Sequence, residues 1–61
     1  MQLCKFTTTE RTIVYVNPQL VRAVSHHSAT IARIQFDKDH FILVNDQLET
    51  VSQMIERAAS A

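Results

Sequence analysis

The chain has 61 residues and a mass of 7.0 kDa, and its six basic and six acidic residues give a formal net charge of zero. A hydrophobic fraction of 46% with 20% charged residues excludes a disordered chain and predicts one small globular domain, residues 1–61. Zero net charge argues against nucleic-acid binding, which needs concentrated positive charge. A chain of this size buries only about 60% of its unfolded surface, so contact with another copy or a partner would add burial.

The cysteine count and the apolar runs indicate a compartment. Cys4 is the single cysteine, which excludes an intramolecular disulfide and favours a reducing environment. The N-terminus lacks the apolar run of a signal peptide, and no window approaches the roughly 18 apolar residues of a membrane span. We therefore expect a cytoplasmic protein without membrane insertion.

The first half of the chain predicts short strands around a corner. Alternation over 3–8 and a β-branched, aromatic run over 12–16 predict two strands joined as a hairpin. Pro18 fixes its own φ, which makes Asn17-Pro18 a corner. The next apolar run predicts either a third strand, 20–25, or a helical turn leading into one. The polar stretch 25–28 is expected to end it.

The second half predicts a hairpin and then a helix. Residues 30–36 alternate most clearly and predict a half-buried strand, with 41–44 as its partner. Asp39 is expected to take the turn position where Gly is usual. Apolar residues at helical spacing predict a helix over 46–59.

The start of that helix has two candidate caps. Either Asn45 or Asp46 could accept an N–H of the first turn through its side-chain oxygen. The predicted fold class is α+β: a small antiparallel sheet or partial barrel of four to five strands packed by one C-terminal helix.

The strands carry two apolar sets, and one helix cannot cover both. The set expected to face the helix is Val14, Val16, Val21, Val24, Ile34, Phe36, Ile42 and Val44. Alternation assigns Ile13, Tyr15, Leu20 and Ile31 to the other set. Either the sheet curls and buries these four residues, or they form a protein-interaction surface by face packing or by strand addition at an open edge.

Metal and catalytic chemistry have little support in the sequence. His26 and His27, with His40, are the single cluster of metal-binding type, but adjacent residues of a strand point to opposite faces. Zinc needs about four ligands, so we interpret the histidine pair as a solvated turn. No oxyanion hole or orienting group accompanies the Ser and Cys residues. We predict no catalytic residue, no metal, no cofactor and no enzymatic activity.

Two arginines are candidates for nucleic-acid contact. Arg22 and Arg33, pointing outward from strands near Tyr15, could bind phosphates while the aromatic ring stacks on a base. Because the net charge is zero, we favour the interpretation that the two arginines lie on an ordinary solvated face of the sheet.

The order of segments from Lys5 to Arg57 resembles that of the small flagellar proteins called FlbD or SwrD. The matching segments are VYVN at 14–17, LVRAV at 20–24, TIARIQF at 30–36, FILV at 41–44 and LETVSQMI at 48–55. The resemblance implies a role in motility. The chain departs from that family at Asp39, which replaces the usual turn Gly.

A second resemblance concerns architecture alone. The carbon-storage regulator CsrA has a similar length, five strands and a C-terminal helix, and it binds RNA as an interlocked dimer. Its basic strand and Gly-containing turn signatures are missing from this chain.

From the residues and the resemblance together, we predict a small non-enzymatic protein-interaction module, associated with motility, that forms a homo-oligomer and binds a protein partner. The alternatives are a nucleic-acid-binding regulator similar to CsrA and a phage-encoded inhibitor of a host protein.

Overall fold

The computed structural model describes residues 2–60, which form five β-strands and one C-terminal helix. The strands are β1 (Cys4–Thr7), β2 (Ile13–Val16), β3 (Ala23–Ser28), β4 (Ile31–Asp37) and β5 (His40–Val44), and the helix α1 is Leu48–Ser60. A 3₁₀ helix, Pro18–Leu20, joins β2 to β3. These elements confirm the predicted α+β class.

The strands form two antiparallel sheets that meet at one point. One sheet pairs β1 with β2, and the other has the order β3-β4-β5. Thr8 forms an isolated bridge with Val44, and the Asn45 N–H donates to the Thr7 carbonyl at 2.9 Å. The bridge places β1 beside β5, so the strand order becomes β2-β1-β5-β4-β3. In this curved arrangement β2 and β3 are the outermost strands.

The inner faces of both sheets and one face of α1 enclose the core. Its buried residues are Cys4, Phe6, Val16, Ala32, Ile34, Val44 and Val51, and the hydrophobic residues packed against them are Val14, Val21, Val24, Phe36, Ile42, Met54, Ile55 and Ala58. All eight residues that alternation assigned to the helix-facing set lie in these two groups. Each fully buried aliphatic side chain contributes about 1.5–3 kcal/mol, so this small core carries most of the stability.

The corner at Asn17-Pro18 is a capped 3₁₀ helix. The Asn17 Oδ1 accepts a hydrogen bond from the Gln19 N–H at 2.9 Å, and Pro18 occupies the first helical position with its side chain buried. Proline suits that position because it needs no N–H donor there. The Gln19 Nε2 also donates to the Ala59 carbonyl at 3.4 Å, which ties the corner to the end of α1.

The third strand differs from the prediction. It begins at Ala23 rather than at Leu20, because the 3₁₀ helix takes the residues after Pro18. The helical-turn alternative is therefore the one that the structure adopts. The stretch 25–28 was predicted to end the strand, but it continues β3 through Ser28, which pairs with Ile31. Backbone pairing with β4 extends the strand there, although its side chains are polar.

The turns follow from the absence of Gly. The two-residue hairpin turns that match strand twist need a positive φ, and within residues 2–60 the single residue with positive φ is Arg11, at 65°. Asp39 lies in the β4–β5 turn, as expected, but its backbone does not adopt the positive φ for which Gly is usual there. The β4–β5 hairpin instead has a register shift between Gln35 and Asp37, and the β3–β4 hairpin has one between His26 and Ser28.

The helix also begins later than predicted. Its first residue is Leu48, and the Val51 N–H donates to the Gln47 carbonyl at 3.0 Å. Asn45 therefore does not cap the helix, and neither does Asp46. The Asn45 Nδ2 is directed to the Thr8 carbonyl at 3.0 Å, where it helps to hold the two sheets together.

Candidate functional site

The outer face of the β1–β2 hairpin exposes large apolar side chains. Ile13 is 57% exposed and Tyr15 is 64% exposed, and the antiparallel register places Thr7 and Lys5 opposite them. Leu20, at the end of the 3₁₀ helix, is 63% exposed. Three of the four residues predicted as an interaction surface therefore lie at the solvent boundary near the corner.

A groove of about 530 Å³ runs along β2, and we call it the β2 groove. Its lining residues are Val14, Tyr15, Val16, Asn17, Leu20, Phe36, Asp37, His40 and Ile42. Strand β2 and the corner form one wall, and the turn end of the β4–β5 hairpin forms the other. The structure thus places both Tyr15 and Leu20 on the β2 groove.

The hairpin wall of the β2 groove combines aromatic and charged groups. The rings of Phe36 and His40 lie 5.2 Å apart at an interplanar angle of 41°. An Asp37 carboxylate oxygen lies 3.6 Å from a guanidinium nitrogen of Arg22. Both members of that ion pair are exposed, so the pair contributes little energy but reduces the net charge at the rim.

The open edge of β2 carries backbone groups without a partner strand. The Thr8 N–H donates to the Thr12 carbonyl at 2.9 Å, and bonded pairs alternate along an antiparallel ladder. The next bonded pairs are therefore Phe6 with Val14 and Cys4 with Val16. It follows that the N–H and C=O groups of Ile13 and Tyr15 point away from β1. No hydrogen bond from elsewhere in residues 2–60 reaches them.

Ile31 lies apart from the other three predicted interaction residues. It is half-buried on the outer face of β4, which it shares with Arg33, and the register places Leu43 on the same face. The guanidinium carbon of Arg33 lies 4.1 Å from the ring centroid of Phe41, a cation–π contact. This second outer face is separate from the β2 groove.

The two arginines considered for nucleic-acid binding have different partners. Arg22 pairs with Asp37 beside the β2 groove, whereas Arg33 stacks on Phe41. The Arg33 Nε is buried and makes no hydrogen bond within the described residues. Each guanidinium group therefore already contacts another side chain of this protein, and the two groups lie in different surroundings.

The histidine pair belongs to a strand. His26 pairs with Ala32, and His27 falls at the register shift, with both side chains exposed. The predicted solvated turn is therefore wrong for these two residues, because β3 continues through them. Among the residues that the structure describes, no three His, Cys, Asp or Glu side chains lie close enough to hold a metal ion.

The thiol of Cys4 is enclosed between β1 and the helix. It donates a long, weak hydrogen bond to the Met54 carbonyl at 3.6 Å. Burial raises the pKa of the Cys4 thiol, because the core disfavours the charged thiolate. A buried thiol of this kind has the character of a core residue rather than of a nucleophile.

Sequence reasoning missed the hairpin side of the groove. Phe36 and Ile42 were assigned to the helix-facing set and are only partly buried, while His40 was considered only with the histidine cluster. The one available signal was the Phe36–His40 spacing across a tight turn, which brings two rings to the same hairpin end.

Nothing in residues 2–60 forms a helix of the length and apolarity needed to cross a membrane. Searches with the sequence and the structure give no match to a protein-family model, a curated protein or a solved structure. The similarity to FlbD or SwrD therefore stays a prediction, based on the segments quoted above.

Proposed function

We propose that this chain is a non-enzymatic protein-interaction module that associates with copies of itself through the β2 groove and the adjoining edge of β2. The observation that carries the proposal is the coincidence of exposed Tyr15 and Leu20 with an unpaired strand edge. Soluble monomers usually protect such an edge with charges, bulges or a covering element.

A comparison of the two outermost strands supports the assignment to β2. Strand β3 has polar side chains at its end and a register shift between His26 and Ser28, both of which protect an edge. Strand β2, with the sequence IVYV, has no charged side chain, and four consecutive residues of it pair regularly with β1. Its short length is its one protective feature.

The energy available indicates reversible association. Covering Ile13, Tyr15 and Leu20 would contribute on the order of 5 kcal/mol per copy. Association costs about 4–15 kcal/mol in lost freedom, so the balance is small. We expect an oligomer whose population changes with protein concentration.

Catalysis has no support from the arrangement of side chains. The Cys4 thiol is buried with a raised pKa, Asp37 is paired with Arg22, and His40 packs on Phe36. We further propose a cytoplasmic location because the single cysteine fits a reducing compartment. A motility role rests on the resemblance to FlbD or SwrD.

Light scattering coupled to gel filtration tests the proposal. The wild-type mass should rise from 7.0 kDa toward twice that value as concentration increases. Tyr15→Ser should move the midpoint at least tenfold higher in concentration, which corresponds to about 1.4 kcal/mol or more. The control is Phe41→Ser, an exposed aromatic residue outside the β2 groove.

Two results of these measurements would contradict the proposal. A mass of 7.0 kDa at every concentration would reject self-association, and equal effects of the two serine variants would reject the assigned surface. RNA or DNA binding that persists at moderate salt and falls on Arg22→Ala with Arg33→Ala would favour the regulator alternative instead.

A further inference from the structure

We infer that two copies pair β2 against β2 in antiparallel orientation, with Val14 of one copy opposite Val14 of the other. The inference rests on the proposed self-association and specifies its surface and register. The occupant of the β2 edge is thus a second copy of this chain, related to the first by a two-fold axis through Val14.

The hydrogen-bonding pattern selects this register. Ile13 and Tyr15 are the β2 residues whose N–H and C=O groups point to the open edge. With Val14 opposite Val14, Ile13 of each copy faces Tyr15 of the other, and both are bonded pairs of an antiparallel ladder. All eight edge groups of the two strands are then satisfied without recruiting any other residue.

The neighbouring registers are less favourable. Placing Tyr15 opposite Tyr15 would pair Ile13 with Asn17, whose carbonyl already accepts a hydrogen bond from the Leu20 N–H at 3.1 Å. Placing Ile13 opposite Ile13 would pair Tyr15 with Arg11, which has a left-handed backbone. A shift by one residue would turn inward-facing side chains outward.

The side chains are self-complementary in the inferred register. On the outer face, Ile13 packs across the interface on Tyr15 twice, and a β-branched residue opposite an aromatic one contributes about 0.2–1 kcal/mol per pair. On the inner face, the two half-buried Val14 side chains meet at the axis and extend the core. The strand contains no charge, so no like charges face each other.

The chain is small relative to a standard protein interface. It exposes 4398 Å², and a standard interface covers roughly 800 Å² on each partner, which is about a fifth of that surface. Pro18 ends β2 and so limits the length of the shared ladder. Because two-fold pairing uses the β2 edge of both copies, the assembly closes as a dimer.

Single-cysteine cross-linking tests the register. In a Cys4→Ala background, Ile13→Cys, Val14→Cys and Tyr15→Cys are each oxidised with diamide, and circular dichroism verifies the fold. Val14→Cys should form a disulfide-linked dimer, because directly opposed residues lie within bridging distance. The other two should cross-link roughly tenfold more slowly or not at all, since each is offset from its own copy.

The outcomes separate the inference from the proposed function. Fast cross-linking at position 15 would overturn the register, and cross-linking at none of the three positions in a protein that light scattering shows to be dimeric would overturn β2 pairing alone. A chain that is monomeric at all concentrations would overturn both. If Val14→Cys does not fold, a mixture of Ile13→Cys and Tyr15→Cys provides the same test, because cross-linked heterodimer should then exceed either homodimer.

Discussion

The Asn45 side-chain amide donates a hydrogen bond to the Thr8 carbonyl at 3.0 Å, across 37 positions of the chain. Together with the hydrogen bond from the Asn45 N–H to the Thr7 carbonyl, this side-chain bond fixes the point where the two sheets meet. Asn45→Ala should therefore lower the free energy of unfolding by about 1 kcal/mol. Urea denaturation measures the change. Gln53→Ala, on the exposed side of α1, is the control, and equal stabilities of the two variants would contradict this role.

The left-handed backbone of Arg11 should make glycine favourable at that position. A non-Gly residue at φ 65° is strained by about 1–2 kcal/mol, so Arg11→Gly should raise the free energy of unfolding by about 1 kcal/mol. Asp39→Gly is the matched control, because Asp39 has no positive φ and glycine there adds only freedom to the unfolded chain. Thermal denaturation of both variants is the measurement. If Asp39→Gly raised the free energy of unfolding, position 39 would have the positive φ that favours glycine, in contradiction to the structure.

The two faces of β4 should respond differently to the same small deletion. Ile34 is fully buried, so Ile34→Val should cost about 0.5–1.5 kcal/mol of unfolding free energy. Ile31→Val removes one methylene from the half-buried outer face and should cost less than about 0.5 kcal/mol. Urea denaturation distinguishes the two. A reversed order would contradict the assignment of inner and outer faces.

Alkaline pH should destabilise the protein through Cys4. Burial raises the pKa of the thiol in the folded chain. Below the ordinary cysteine pKa, the thiol is protonated in both the folded and the unfolded chain, so Cys4 does not make the stability depend on pH there. Above it the unfolded thiol ionises while the folded one stays protonated, so stability falls until the pH passes the raised pKa.

Cys4→Ala isolates that effect, because every other titrating group is common to both proteins. Urea midpoints measured in reducing buffer from neutral pH to about pH 10 should fall more steeply for the wild type than for the variant. Parallel curves would show that ionisation of Cys4 does not contribute.

The sequence predicted the fold class because alternation is strong in the central strands. Residues 30–36 alternate between inward and outward side chains, and β4 follows that pattern from Ile31 to Asp37. The end of β3 could not be predicted, because Ser25 to Ser28 are held by backbone pairing while their side chains give no strand signal. Arg11 likewise carries no sequence mark of its left-handed conformation.

The candidate site was predictable only in part. Tyr15 and Leu20 flank the Asn17-Pro18 corner in sequence, so a corner at that point brings them close to each other. The opposite wall of the β2 groove comes from Phe36, His40 and Ile42. Those residues reach it through the curvature of two sheets that meet at the Thr8–Val44 bridge, and no local pattern encodes this tertiary relationship.

Amide hydrogen exchange at Ile13 and Tyr15 tests the pairing of β2 between two copies, because it measures the edge N–H groups without any substitution. We expect both N–H groups to exchange slowly at high protein concentration and to lose protection on dilution, while the Val14 and Val16 N–H groups, bonded to β1, stay protected throughout. Fast exchange at Ile13 and Tyr15 in a sample that light scattering shows to be dimeric would rule out β2 pairing between the copies.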